Sequence, residues 1–147
     1  MPDSDEVEIL ELRIKPQHIK TASARALQVN GYTEEGWHDA IDIETAIAEI
    51  AKFLKGCVMV GHSVQFDVNF LREAAMQHNA GLIPFRTIDT HKLAEQYLKP
   101  KGLDSLSLEA ACEFLGISNK NAHTAMADAV RCKLVYDKIM EDLGGDE

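Results

Sequence analysis

The run Cys57-Val-Met-Val-Gly61 constrains this chain more than any other stretch. An uninterrupted apolar segment of this length has no polar face to offer water. As a strand it must be covered on both sides, as in a parallel sheet with helices packed above and below. The neighbouring residues agree: His62 and Ser63 turn the chain, and residues 66–78 set Phe66, Phe70, Leu71, Ala74 and Ala75 at the spacing of a helix with those residues inward. Just before the run, residues 44–54 place Ile47, Ile50, Ala51 and Leu54 on one helical face, and Gly56 stands where helices commonly stop. Downstream the alternation repeats. Residues 86–90 read as a short strand, 91–98 as a helix stopped by Pro100, and 107–115 as a helix with Ser107 as N-cap and Gly116 beyond its end. The last helix, residues 124–143, carries the stripe Ala129, Cys132, Tyr136, Ile139 and Leu143, with Gly144-Gly145 closing it. Alternating strands and helices predict an α/β fold with a helix-rich second half.

The first third is less regular. Residues 6–15 alternate charged and apolar side chains with the period of a half-buried strand, ended by Pro16. Residues 17–37 have no dominant period; Asn30-Gly31 is a turn signal, and Thr33-Glu34-Glu35 suits a short helical turn. At 147 residues, with 46% hydrophobic and 27% charged residues, the chain has the composition of one globular domain over residues 1–147.

Charge and cysteine content narrow the function classes. Fifteen Lys and Arg against 24 Asp and Glu leave a net charge of -9, which argues against a broad basic face neutralising duplex phosphates. It leaves room for nucleic acid held at a small site through metal ions. No apolar run approaches the ~20 residues that cross a bilayer, and the acidic residues 1–8 lack the pattern of a signal peptide. A cytoplasmic protein without a membrane partner is the expectation. Cys57, Cys112 and Cys132 are odd in number, widely spaced and set among apolar residues, so buried reduced thiols are expected.

Two spots gather ionisable residues. In Gly61-His62-Ser63-Val64-Gln65-Phe66-Asp67 a buried strand gives way to a helix, the place where open α/β sheets bind ligands. Asp67 there serves equally as a carboxylate complementing the helix dipole. In His123-Thr-Ala-Met-Ala-Asp128, a helix capped by Thr124 leaves His123 outside it, free to fold back over Asp128. A surface pair of little energetic consequence is the alternative.

Taken together, Val60-Gly-His-Ser-Val-Gln-Phe-Asp67 and His123-Thr-Ala-Met-Ala-Asp128 resemble the second and third motifs of the DEDD 3′-5′ exonucleases of the histidine subtype, which include proofreading ε subunits and have a ribonuclease H-like fold. Arg13-Ile-Lys-Pro16, Ala26-Leu-Gln-Val-Asn-Gly-Tyr-Thr33, Phe70-Leu71, Ile88-Asp-Thr90 and Leu106-Ser-Leu108 resemble further stretches of that family in the same order. The resemblance implies phosphodiester hydrolysis from a 3′ end with two Mg²⁺ or Mn²⁺ ions, hard cations that take oxygen ligands. It makes Asp128 a metal ligand, Asp67 a ligand of the second metal directly or through water, and His123 the general base, a role its unperturbed pKa of ~6.5 suits. His62 and Ser63 fall beside the substrate; Ser63 stands where the family often has Asn, and His62 is expected to fix the local backbone. Phe66 is expected in the core. The implied partners are a single-stranded 3′ end and a DNA polymerase.

The family's first motif, an Asp-x-Glu strand, has no counterpart before residue 13. Asp42-Ile43-Glu44 matches the pattern but runs into an amphipathic helix, where capping and dipole complementarity explain both acids. The expectation is a domain lacking its first two strands, with an exposed sheet edge covered by upstream residues or another copy of the chain. Such a chain is expected to be weakly active or inactive alone on single-stranded or frayed DNA. RNA-directed exonuclease activity and a non-catalytic binding module are the alternatives.

Overall fold

The computed structural model describes residues 7–144. Its centre is a short parallel pair, β1 (Met59–Gly61) and β2 (Thr87–Asp89), in register Met59 to Thr87, Val60 to Ile88 and Gly61 to Asp89. Around it lie α1 (Ala24–Val29), α2 (Ile43–Phe53), α3 (Gln65–Gln77), α4 (Thr90–Leu93), α5 (Leu108–Phe114) and α6 (Ala125–Gly144). The α/β architecture and the helix-rich second half are as the alternation predicts.

Local chemistry explains where most helices begin. Asp42 caps α2, its Oδ1 accepting the Thr45 N–H at 2.8 Å, and that bond holds its carboxyl below the usual range. Ser107 caps α5 through the Ala110 N–H, and Thr124 accepts the Ala127 N–H at 3.2 Å at the start of α6. Asp42 and Glu44 are thus helix-start acids, as capping predicts. Pro100 does not stop the helix after β2. The chain continues from α4 through a π turn (Ala94–Leu98) into a 3-10 turn (Lys99–Lys101), where proline's missing N–H costs nothing near a start, and Gly102 ends it at φ 108°. Helix α1, capped by Ser23, arises where no period dominates the sequence.

Two apolar clusters hold the layers together. Ile47, Ala51, Ala75 and Ile83 join α2 to α3, with Met59 of β1 against them. Ala94, Leu98, Ala111, Cys112, Val135 and Ile139 join the helical stretch after β2 to α5 and α6.

Three expectations need correction. Residues 7–15 form no regular strand: Ile14 makes one parallel bridge to Ile41, though Leu10, Leu12 and Ile14 are half-buried while the residues between them are exposed. The side chains keep the alternation; the ladder needs a neighbour, which the described residues supply only at Ile41. In α3 the buried residues are Val68 and Ala75, with Leu71 half-buried, whereas Phe66 and Phe70 are each 69% exposed. At roughly 100° per residue, Phe66 lies nearly opposite Val68. In α6 the buried set is Arg131, Cys132, Val135 and Ile139, so Ala129 and Leu143 of the expected stripe face outward. Among the thiols, Cys112 and Cys132 are buried and Cys57 is exposed; all are free.

Candidate active site

The carboxyl ends of β1 and β2 lead directly into the starts of α3 and α4, and Cys132 of α6 reaches Thr90 there. Gly61 makes the corner tight: a Cβ there would lie 2.9 Å from Val64 Cγ2, so the turn into α3 closes only with glycine. Ser63 comes next but one at φ 60°, a left-handed conformation that asparagine adopts more readily, the physical sense of asparagine at this position in the resembling family. The Ser63 N–H donates to Asp89 Oδ1 at 2.9 Å, and the same oxygen accepts the His91 N–H at 3.0 Å. Asp89, to which the sequence assigns no role, therefore ties the first corner turn to the start of α4.

His62 is built into this corner. Its Nε2 lies 2.7 Å from the Leu106 carbonyl, so Nε2 carries the proton. In the neutral ring Nδ1 then accepts from Thr90 Oγ1 at 2.9 Å, and Thr90, fully buried, accepts in turn from the Cys132 thiol at 3.2 Å. Burial pushes the His62 pKa down despite the Leu106 bond, and burial pushes the Cys132 thiol up, so both protonation states agree with this chain of bonds. Both ring nitrogens are thus used within the protein, and the geometry favours the backbone-fixing role over substrate contact.

Asp67 stands in the first turn of α3, whose N-cap Val64 offers no side-chain bond. Desolvation by its surroundings raises its pKa, partly offset by its own backbone N–H, and it has no ion-pair partner among the described residues. Asp67 and Asp89 both act through space on Cys132, which lies one turn beyond Asp128 on α6.

His123 sits just outside α6 at φ 74°, and its N–H folds back to Asp128 Oδ1 at 3.0 Å. The expected fold-back occurs through the backbone. Arg131 approaches the same oxygen, Nη2 to Oδ1 at 2.7 Å, leaving Asp128 Oδ2 as the oxygen without a hydrogen bond, on a side chain 41% exposed. A hard divalent ion would find one oxygen-bearing side chain at Asp67 and one at Asp128. Among the described residues no group of three or more His, Cys, Asp or Glu side chains is placed to share an ion. The donors present do not complete a two-ion centre.

Beside Asp67, the exposed rings of Phe66 and Phe70 lie 5.4 Å apart, centroid to centroid. An apolar pair next to a candidate site is where unstacked bases find a face. Helical periodicity counts these rings as interior and so conceals their exposure.

The sequence model of the exonuclease family matches residues 3–136. The PolC-type DNA polymerase III of Thermotoga petrophila is 33% identical over 129 residues, 87% of this chain and 9% of that protein. The DNA polymerase III epsilon subunit of Aquifex aeolicus is 29% identical over 101 residues, covering 69% of this chain and 49% of the subunit. The 3′-5′ exonuclease DinG of Staphylococcus epidermidis is 32% identical over 93 residues, 63% of this chain and 10% of that protein. The chain thus spans a tenth or less of the PolC-type and DinG relatives and about half of the epsilon subunit. No helix among the described residues is long and apolar enough to cross a membrane. With the family match running through both motif corners and the α/β frame that joins them, the chain belongs to the DEDD 3′-5′ exonuclease family and carries its ribonuclease H-like exonuclease domain.

Proposed function

We propose that this domain serves hydrolysis of phosphodiester bonds at the 3′ end of single-stranded or frayed DNA, and that the polypeptide alone turns over slowly or not at all. The reading is supported by the two motif carboxylates: Asp67, in the first turn of α3, has no cation paired to it among the described residues, and Asp128, in the first turn of α6, has one oxygen left open. Exonucleases of this family generally depend on divalent metal ions, and these two carboxylates are the residues that would hold one. His123 takes the proton of the attacking water, and the His62, Thr90 and Cys132 chain holds β1 against α4 and α6 so that the two motifs keep their spacing. Phe66 and Phe70 receive the terminal bases. DNA is favoured over RNA by the relatives, whose names are those of DNA polymerase III proteins.

Slow turnover follows from the short ligand set. The second strand-pairing edge of β1 has no partner among the described residues, and a groove of about 490 Å³ opens between residues 7–14, α2 and the first half of α6. A further strand along the edge of β1, from a second copy or another polypeptide such as a polymerase chain, would extend the sheet and could bring the missing acidic ligands.

The test is release of nucleotide from a 3′-labelled single strand with Mg²⁺ or Mn²⁺. Slow or absent release, with millimolar Mn²⁺ raising the melting temperature of the wild type but not of Asp67→Ala or Asp128→Ala, supports the reading. Rapid release abolished by Asp128→Ala overturns the slow-alone part. Absence of both release and the Mn²⁺ shift overturns the metal-site part.

A further inference from the structure

Arg131 is the buried charged residue among those described, 5% exposed, on a helix whose expected inner stripe is apolar. It lies three residues beyond Asp128 and donates from Nη2 to Asp128 Oδ1 at 2.7 Å. Its Nη1 donates to Asn119 Oδ1, and Asn119 is itself anchored by its Nδ2 to the Glu109 carbonyl of α5 at 3.1 Å. Its Nε is buried with no partner. Burial raises the Cys112 thiol, partly offset by the positive charge of the same guanidinium. This arginine is therefore fixed between Asp128 and Asn119.

Its position has a chemical consequence. Asp128 Oδ1 already accepts the His123 N–H and the guanidinium, so an incoming ion meets a carboxylate with one oxygen already engaged twice and a fixed positive charge beside it. The guanidinium does not deprotonate in proteins, so it repels any ion on Asp128 Oδ2 at every ordinary pH. Burying such a charge is costly unless its partners persist, and an unpartnered Nε adds to that cost. We infer that Arg131 is the resident cation of Asp128: it holds that carboxylate in the absence of metal and sets the threshold that a divalent ion must overcome. The inference rests on Asp128 being a metal ligand, as in the proposed function. It makes Arg131 a positioning residue that weakens metal binding while keeping the ligand in place.

Mn²⁺ titration of the intact chain, followed by electron paramagnetic resonance and calorimetry, tests this without any turnover. Arg131→Gln keeps donors for Asn119 and Asp128 but removes the charge, and is expected to bind Mn²⁺ at least about tenfold more tightly than wild type. Arg131→Lys keeps the charge without the fork and is expected to stay within a few-fold of wild type. If Gln destabilises the fold, the pair Asn119→Leu with Arg131→Met removes charge and polar partner together and carries the same expectation. Equal or weaker binding in the charge-removing variants, or tightening by Lys as large as by Gln, overturns the inference while leaving the metal site standing. No Mn²⁺ binding in wild type or any variant overturns both it and the metal assignment, and Asp128→Asn separates the cases by removing whatever binding exists.

Discussion

The catalytic corner and residues 7–42 are built in opposite ways. At the corner, His62 and Ser63 after β1, Asp89 of β2, Thr90 of α4, Leu106 and Cys132 of α6 are joined by hydrogen bonds between residues 26 to 44 positions apart, and Val135 and Ile139 are closed inside an apolar cluster. In residues 7–42, Ile14 and Ile41 share a single bridge, Val7, Ile9 and Val29 are exposed, and most hydrogen bonds are local turns and caps. The contrast shows that cross-linking between distant segments, more than helix or strand content, separates a site's rigid frame from its surroundings.

The sharpest way to break that comparison is to delete volume on each side. Ile139→Ala should destabilise by about 2–5 kcal/mol, while Leu12→Ala, half-buried beside an open groove, should cost under about 1 kcal/mol. Comparable midpoint shifts in urea melts would show the two regions to be equally packed. Next in size, Thr90→Val keeps the shape but removes the hydroxyl between His62 and Cys132, and should cost about 1–3 kcal/mol by the same melts. A loss of a few tenths would mean that the corner is held without this chain of bonds.

Of similar size but a different readout is Phe66→Ala, which should weaken binding of a short oligothymidylate by about 1–3 kcal/mol, seen by fluorescence anisotropy, with little change in melting temperature because the ring is exposed. Unchanged affinity would remove Phe66 from the substrate platform.

Acid sensitivity is a smaller effect. The folded pKa of His62 is lowered, chiefly by burial, below an unfolded value near 6.5. On acidification the unfolded chain therefore takes up this proton first, and stability falls as pH drops below about 6.5 toward the folded pKa, being fully present above it. Asp67 works in the other sense at lower pH: its raised folded pKa means that falling pH relieves the cost of desolvating its charge. His62→Gln should flatten the stability slope between pH 7 and 5.5, and an unaltered slope would place the sensitivity elsewhere. The smallest expected change is Ser63→Asn, which eases a left-handed residue and should stabilise by under about 1 kcal/mol; a lowered melting temperature would contradict that account.

Much of this was legible in the chain. Caps at Asp42, Ser107 and Thr124, the strand before Gly61 and the order of two acid-bearing motifs are local signals, because a helix start or a short strand is decided by a few adjacent residues, whereas the expected cover on both faces of that strand is not met, Val60 being 39% exposed. Arg131 was not legible. An arginine reads as a surface residue unless its partners are known, and Asn119 lies twelve positions away on a loop. Phe66 misleads for the opposite reason: its apolar ring fits an inward stripe by spacing, but the face that α3 turns to α2 carries Leu71, Ala74 and Ala75, which leaves Phe66 outside.

By itself, then, the sequence determined the central strands, most of the helices and their order, the membership of the exonuclease family and the two motifs that carry its acids. Only the tertiary structure decided the pairings: that residues 7–15 keep a strand's alternation while bridging a neighbour once, that both nitrogens of His62 turn inward, and that a buried arginine holds one oxygen of Asp128. The physical reason is range. Periodicity and capping are settled within a turn or two of chain, whereas a ladder, a buried charge or a free carboxylate oxygen depends on which distant group arrives opposite it.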